Sequence, residues 1–198
     1  MTVLSPPRPR LVEDALRLAR DWCADQVIDG APALAHAAAV ASTLGRYAPD
    51  DATPELISAC LLHDAPEFAP DVLDAVVLDQ LGPAVLRLIR SLEAAHHSMA
   101  GWLTHPEATR AQLVTLRENH PVLVAVAADK IVALSSALRR AERSGDPAGF
   151  WAEKAALLAH VPYFRTFLDT TSEQLPAAMA SKLHALITRV ETARASIR

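Results

Sequence analysis

Apolar positions repeat with a helical period along almost the whole chain. Leu11, Ala15, Leu18, Ala19 and Trp22 share one face, which predicts a first helix over Leu11–Val27. Asp29-Gly30-Ala31-Pro32 ends it and opens a second helix, with Pro32 at an early position, that runs to about Tyr47. Ala48 to Asp51 is a loop. Thr53 is the expected N-cap of a third helix, with Pro54 at its first position and its end near His63-Asp64. Pro66 to Asp71 reads as irregular, and Val72 to Gln80 as a short helix or turn. Val85, Leu88, Ile89 and Leu92 set an amphipathic helix over Pro83–His97, broken by Gly101 to His105. Pro106–Glu118 is a polar, exposed helix. Pro121 opens a long one, Val122–Arg143, which Ser144-Gly145-Asp146-Pro147 closes. Phe150–Ala159, an aromatic segment around Tyr163-Phe164, and Gln174–Ala195 complete the chain.

The reading is all-α, with roughly eight to ten helices and no strand-forming alternation. No repeat, low-complexity tract or flexible linker divides it. A single domain is expected over the whole chain, its core over about residues 15–167 and a C-terminal helix over about 174–195.

Composition changes this picture little. The 198 residues are 51% hydrophobic and 21% charged, enough to bury a core without staples. The formal charge of −4, with no basic run interleaved with aromatics, argues against nucleic acid or a membrane surface as partner. Cys23 and Cys60 form no Cys-x-x-Cys pair, so neither a disulfide framework nor a thiolate zinc site is indicated. Met1 to Arg10 lacks the apolar core of a signal peptide, and no apolar stretch looks long and charge-free enough to span a bilayer. A cytoplasmic location is expected.

The informative residues are polar ones on apolar faces. His63 continues the stripe of Leu56 and Cys60 and should point inward. Asp64 follows it at a helix end, where a carboxylate opposes the macrodipole. His36 lies in Leu34-Ala35-His36-Ala37-Ala38-Ala39-Val40, with no other titratable group. Asp129 lies inside Val122 to Leu134, where a carboxylate is costly unless paired or metal-bound. Two readings stay open. The four residues form buried hydrogen-bond pairs, or they surround a divalent metal, which mixed imidazole and carboxylate ligation suits. Lys130, adjacent to Asp129, is expected in solvent. Arg110, Arg117, Arg139 and Arg140 read as helix surface, and His96, His97, His105 and His120 as surface or loop. Trp22 reads as core packing. Phe150-Trp151 and Tyr163-Phe164 are either core or a homodimer contact.

His36, then His63-Asp64 after a Leu-Leu run, then Asp129 in Ala128-Asp129-Lys130, occur in the order that marks the HD-domain metal-dependent phosphohydrolases. The chain resembles that superfamily from about Ala15 to Phe167. Within it, Ala31-Pro32-Ala33-Leu34-Ala35-His36 and Ala127-Ala128-Asp129-Lys130-Ile131 are similar to segments of small single-domain (p)ppGpp hydrolases. Their His-Asp-x-x-Glu-Asp motif here ends in Glu67-Phe68, so the last acid is missing. Their arginine-rich stretch is replaced by Asp25-Gln26-Val27-Ile28, and their asparagine by Ala133. The nucleoside monophosphate phosphohydrolases of the superfamily need only the glutamate, which Glu67 supplies.

The resemblance implies that His36, His63, Asp64 and Asp129 hold one divalent ion, with Mn the first expectation and Fe, Zn, Co or Mg the alternatives. It implies an enzyme that cleaves a phosphate or pyrophosphate ester of a nucleotide or similar metabolite, with Asp64 and Glu67 as catalytic residues. A metal- or nucleotide-binding regulatory protein without catalysis is the alternative.

Overall fold

Helices dominate the computed structural model, which describes residues 3–28 and 30–195. In chain order they are α1 (Arg10–Cys23), α2 (Ala33–Tyr47), α3 (Pro54–Leu61), α4 (Ala65–Phe68), α5 (Leu73–Gln80), α6 (Pro83–Gly101), α7 (Pro106–Arg117), α8 (His120–Arg143), α9 (Pro147–Glu153), α10 (Ala155–Ala159), α11 (Val161–Thr171) and α12 (Ala177–Ala195). Between α1 and α2, β1 (Val27–Ile28) and β2 (Ala31–Pro32) form a two-residue antiparallel pair, with Val27 opposite Pro32. The all-α expectation holds.

Helix α8 is the axis of the molecule. Its residues from Val122 to Ala128 are all buried, as are Ile131, Val132, Leu134, Ala137, Leu138 and Ala141. A helix apolar on every side must be enclosed by others. Here α2 and α12 lie along it, and α6, α7 and α9 close the remaining sides. Helix α3 sits in a second layer, packed on α1, α2 and α6. Thr53 caps it as expected: its Oγ1 accepts from the Leu56 amide at 3.2 Å. Ser58 keeps its hydroxyl satisfied inside this layer by donating to the Pro54 carbonyl at 2.7 Å.

Several boundaries differ from the sequence reading, each for a local reason. The first helix stops at Cys23 rather than Val27, because Val27 and Ile28 pair with Ala31 and Pro32. Gly30, at φ 79°, sits where that connection needs a left-handed residue. Residues 65–68, expected to be irregular, form α4, with Pro66 in the first turn, where a missing N–H costs nothing. Phe150–Ala159 is split at Lys154 into α9 and α10, and the aromatic segment belongs to an eleven-residue helix, α11. The described residues therefore hold twelve α-helices.

The aromatic segment is core. Tyr163, Phe164, Phe167 and Trp151 are buried, and Tyr163 packs edge-on against Trp102 at 5.8 Å between centroids. Trp22 is half-buried against the core. Among the described residues, α8 alone is long and apolar enough to cross a membrane by length and composition, which corrects the expectation that no stretch qualifies. Asp129-Lys130 interrupts the run in sequence, but two charges do not disqualify so long an apolar helix, and most of it is enclosed by its neighbours.

Candidate metal centre

Three helices and one turn deliver the polar residues to a single point. His36 comes from the first turn of α2 and Asp129 from the middle of α8. Their long contact brings His36 Nε2 and Asp129 Oδ1 to 3.0 Å. His63 and Asp64 occupy the turn between α3 and α4. Asp64 directly precedes the four-residue α4 but makes no side-chain cap bond to it; its oxygens face His63 and His96 instead. His63 Nε2 lies 3.3 Å from Asp64 Oδ2 and 3.9 Å from Asp129 Oδ1. His36, His63 and Asp129 each offer a ligand atom, all within 4.8 Å of one another.

The tautomer of His63 makes this cluster informative. Its Nδ1–H donates to the Cys60 carbonyl at 2.7 Å. The neutral ring then presents a lone pair at Nε2. That lone pair faces two carboxylates, which are also acceptors, so His63 Nε2 and Asp64 Oδ2 are left buried without a hydrogen-bond partner. His63 is 2% exposed. A bound cation would satisfy the buried His63 nitrogen and Asp64 oxygen together, with Asp129 beside them. The donor set of imidazole nitrogens and carboxylate oxygens fits a divalent transition metal.

Electrostatics agree. Burial pushes the His63 imidazole below its ordinary pKa despite Asp64 and Asp129, which favours the neutral, ligating form. Burial by itself would raise the Asp129 carboxyl, but hydrogen bonds from His36 and His96 hold it well below the usual range. Cys60 contributes its carbonyl and not its sulfur: burial, with Asp129 adding, pushes its thiol up to about 12.

These residues lie at the base of a cleft of about 500 Å³. Glu67, on α4, lines it and is exposed. Phe68 and Ala133 occupy the positions at which the acid and the asparagine are missing, and Ala133 is on the cleft wall. Among the described residues, no lysine or arginine lines the cleft. Arg139 is exposed. Arg140 lies over the Phe150 ring at 5.9 Å, and Arg110 over Trp102 at 5.4 Å.

Two expectations fail here. His96, expected on the surface, is in the cluster: its Nε2 lies 3.4 Å from Asp129 Oδ2 and its Nδ1 3.9 Å from Asp64 Oδ1. These are the carboxylate oxygens turned away from His63. Burial disfavours its charge, yet Asp129 and Asp64 raise its pKa overall. A signal was present, because His96 continues the Ile89 and Leu92 stripe of α6 just as His63 continues that of α3. Lys130, expected in solvent, is 1% exposed, with its Nζ 5.2 Å from the Tyr163 ring centroid and 5.1 Å from that of Phe167. It lies seven residues after Leu123 and four before Leu134, both buried on the same face of α8. Adjacency to Asp129 says nothing about a residue when every side of the helix is covered. His97 and His105 are exposed, as expected, although His97 reaches the cleft rim. His120 is exposed but does have an acidic partner, Asp51, at 3.1 Å.

No curated protein matches the chain. The family model described as HD domain matches residues 15–143, which contain all four motif residues together with Glu67 and His96. The chain belongs to the HD-domain family, a family made up generally of metal-dependent hydrolases.

Proposed function

We propose that this protein is a metal-dependent phosphohydrolase acting on a phosphate or pyrophosphate ester of a small metabolite, with a nucleotide as the favoured class. The observation that carries the reading is the His63 lone pair, fixed by the Cys60 carbonyl and aimed at Asp64 and Asp129. His36, His63, Asp64 and Asp129 would hold a divalent ion, Mn being the first to test. Such an ion supplies Lewis acidity toward a phosphoryl oxygen and makes nearby water a better nucleophile.

The chain's own residues supply the rest. Cys60 and the α3–α4 turn hold the His63 ring in one tautomer and orientation. Glu67, which lines the same cleft, would accept a proton from the attacking water. With no lysine or arginine on the cleft wall, a phosphate dianion relies on the ion for its counter-charge, so substrate binding should be as metal-dependent as turnover. Phe68 and Ala133 leave the cleft without two polar groups of the (p)ppGpp hydrolases, which favours a nucleoside monophosphate or another simple monoester.

A phosphate-release screen over mononucleotides, ppGpp and common phosphorylated metabolites, with Mn added, tests the proposal. Release from at least one is expected, abolished together with metal binding in Asp64→Asn. Glu67→Gln should lose most of the activity while keeping the metal. Silence across the panel from a protein that binds Mn would favour the non-catalytic alternative. A protein that takes up no divalent ion would refute the reading altogether.

A further inference from the structure

A second concave site lies along the seam between α2 and α8 and shares no lining residue with the metal cleft. Its volume is about 270 Å³. Thr43, Arg46 and Tyr47 of α2 form one wall, Ser135 and Arg139 of α8 the other, and Lys182 of α12 closes the end. Thr43 and Tyr47 are seven and eleven residues beyond His36, and two to three full turns bring them back to nearly the same face of α2. The slot is therefore on the order of 10–15 Å along the seam from His36 and Asp129.

Its charge sets it apart. The protein carries a formal charge of −4, yet three cationic side chains meet here and no aspartate or glutamate lines the slot. Among the described residues, none of the three has a carboxylate within ion-pair distance; Arg46 lies over the Tyr47 ring at 5.5 Å. Other surface arginines of this chain do find acids: Arg90 pairs with Asp74 and Glu93, and Arg165 with Glu191. Three unpaired cations around one cavity repel one another, and an anion removes that repulsion. The hydroxyls of Thr43, Tyr47 and Ser135 add donors between the charges. Two guanidinium forks, an ammonium and three hydroxyls match the several oxygens and double charge of a phosphate better than a single carboxylate.

We propose that this slot binds the phosphate group of a small phosphorylated metabolite, independently of the metal cleft. An occupant there would touch both helices that carry His36 and Asp129.

Calorimetric titration of the metal-free protein with pyrophosphate tests this, because among the described residues no lysine or arginine lines the metal cleft and Asp64, Glu67, Glu93 and Asp129 do. Saturable binding at one site per chain is expected, weakened about tenfold or more by Arg139→Glu or Lys182→Glu. These two basic residues are on the surface or at its edge, so the variants should fold, which circular dichroism checks. Absence of saturable binding, or binding indifferent to both charge reversals, would overturn the proposal. Failure of the hydrolase reading would leave this result untouched, because no metal or turnover enters the measurement.

Discussion

At the scale of single residues, one rule explains both the readings that held and those that failed. A polar side chain on the apolar stripe of a helix points inward whatever its own chemistry. Applied to His63 the rule located the cluster; left unapplied to His96 and Lys130 it lost a cluster member and a buried cation. Lys130 has no hydrogen-bond partner for its Nζ among the described residues and is held by ring faces and packing. Lys130→Ala should cost about 2–4 kcal/mol by denaturant unfolding, since it deletes a long buried stem beside Tyr163 and Phe167. Lys130→Met should recover most of that loss; if it is as unstable as the alanine variant, the ammonium rather than the stem is what matters.

The same scale carries a pH dependence. Folding raises the pKa of His96, so the folded protein keeps a proton there to higher pH than a free histidine would. That proton sits against Asp64 and Asp129 and must leave when a cation arrives. Mn affinity is therefore expected to rise with pH above about 6.5, with proton release visible as a buffer-dependent heat of binding. Affinity that is flat between about pH 6 and 8 would contradict this. Asp129 works in the opposite direction on stability. Its carboxyl is depressed in the fold, so it contributes stability above its unfolded pKa of about 3.9, lost as pH falls through the folded value. Asp129→Asn should remove that part of the acid limb of metal-free unfolding.

At the scale of elements, α3 has the most specific task. In two turns it must bury Leu56, Ile57, Ala59, Cys60 and Leu61, then end so that the Cys60 carbonyl meets His63 Nδ1. Its start is set by Thr53 and Pro54, far enough from the site to be altered separately. Thr53→Ala should cost about 1 kcal/mol in unfolding free energy, with Mn affinity of the folded protein unchanged. A large loss of affinity would show that the cap also sets the position of the His63 turn. The start of α3 was legible to the residue, because cap and proline agreed, but its end, expected near His63-Asp64, comes at Leu61. The sequence did not reveal α4, where Pro66 looks like a terminator and is in fact a permitted first-turn residue.

At the scale of the whole molecule, the family match ends at residue 143, but the core does not. Helix α12 lies along α8, and α11 supplies the Tyr163 and Phe167 rings that enclose Lys130. A chain cut after Arg143 would expose the outer side of α8, including Leu134 and Leu138, and uncover a lysine inside an apolar surface. It should lack a cooperative unfolding transition by circular dichroism and resist proteolysis far less than the full chain. A truncated chain that unfolds cooperatively would show that the last helices are an accessory layer.

Helical period and caps were enough to establish an all-α chain, because both are written in local spacing; the order of four polar residues pointed to a shared site only through the family resemblance. His36 and Asp129 are 93 residues apart, and only the packing of α2 on α8 makes them neighbours. The inclusion of His96, the burial of Lys130 and the convergence of Arg46, Arg139 and Lys182 likewise depend on which helix faces cover one another. Spacing along a chain shows which way a side chain turns; what it meets there is decided by the helix on the other side.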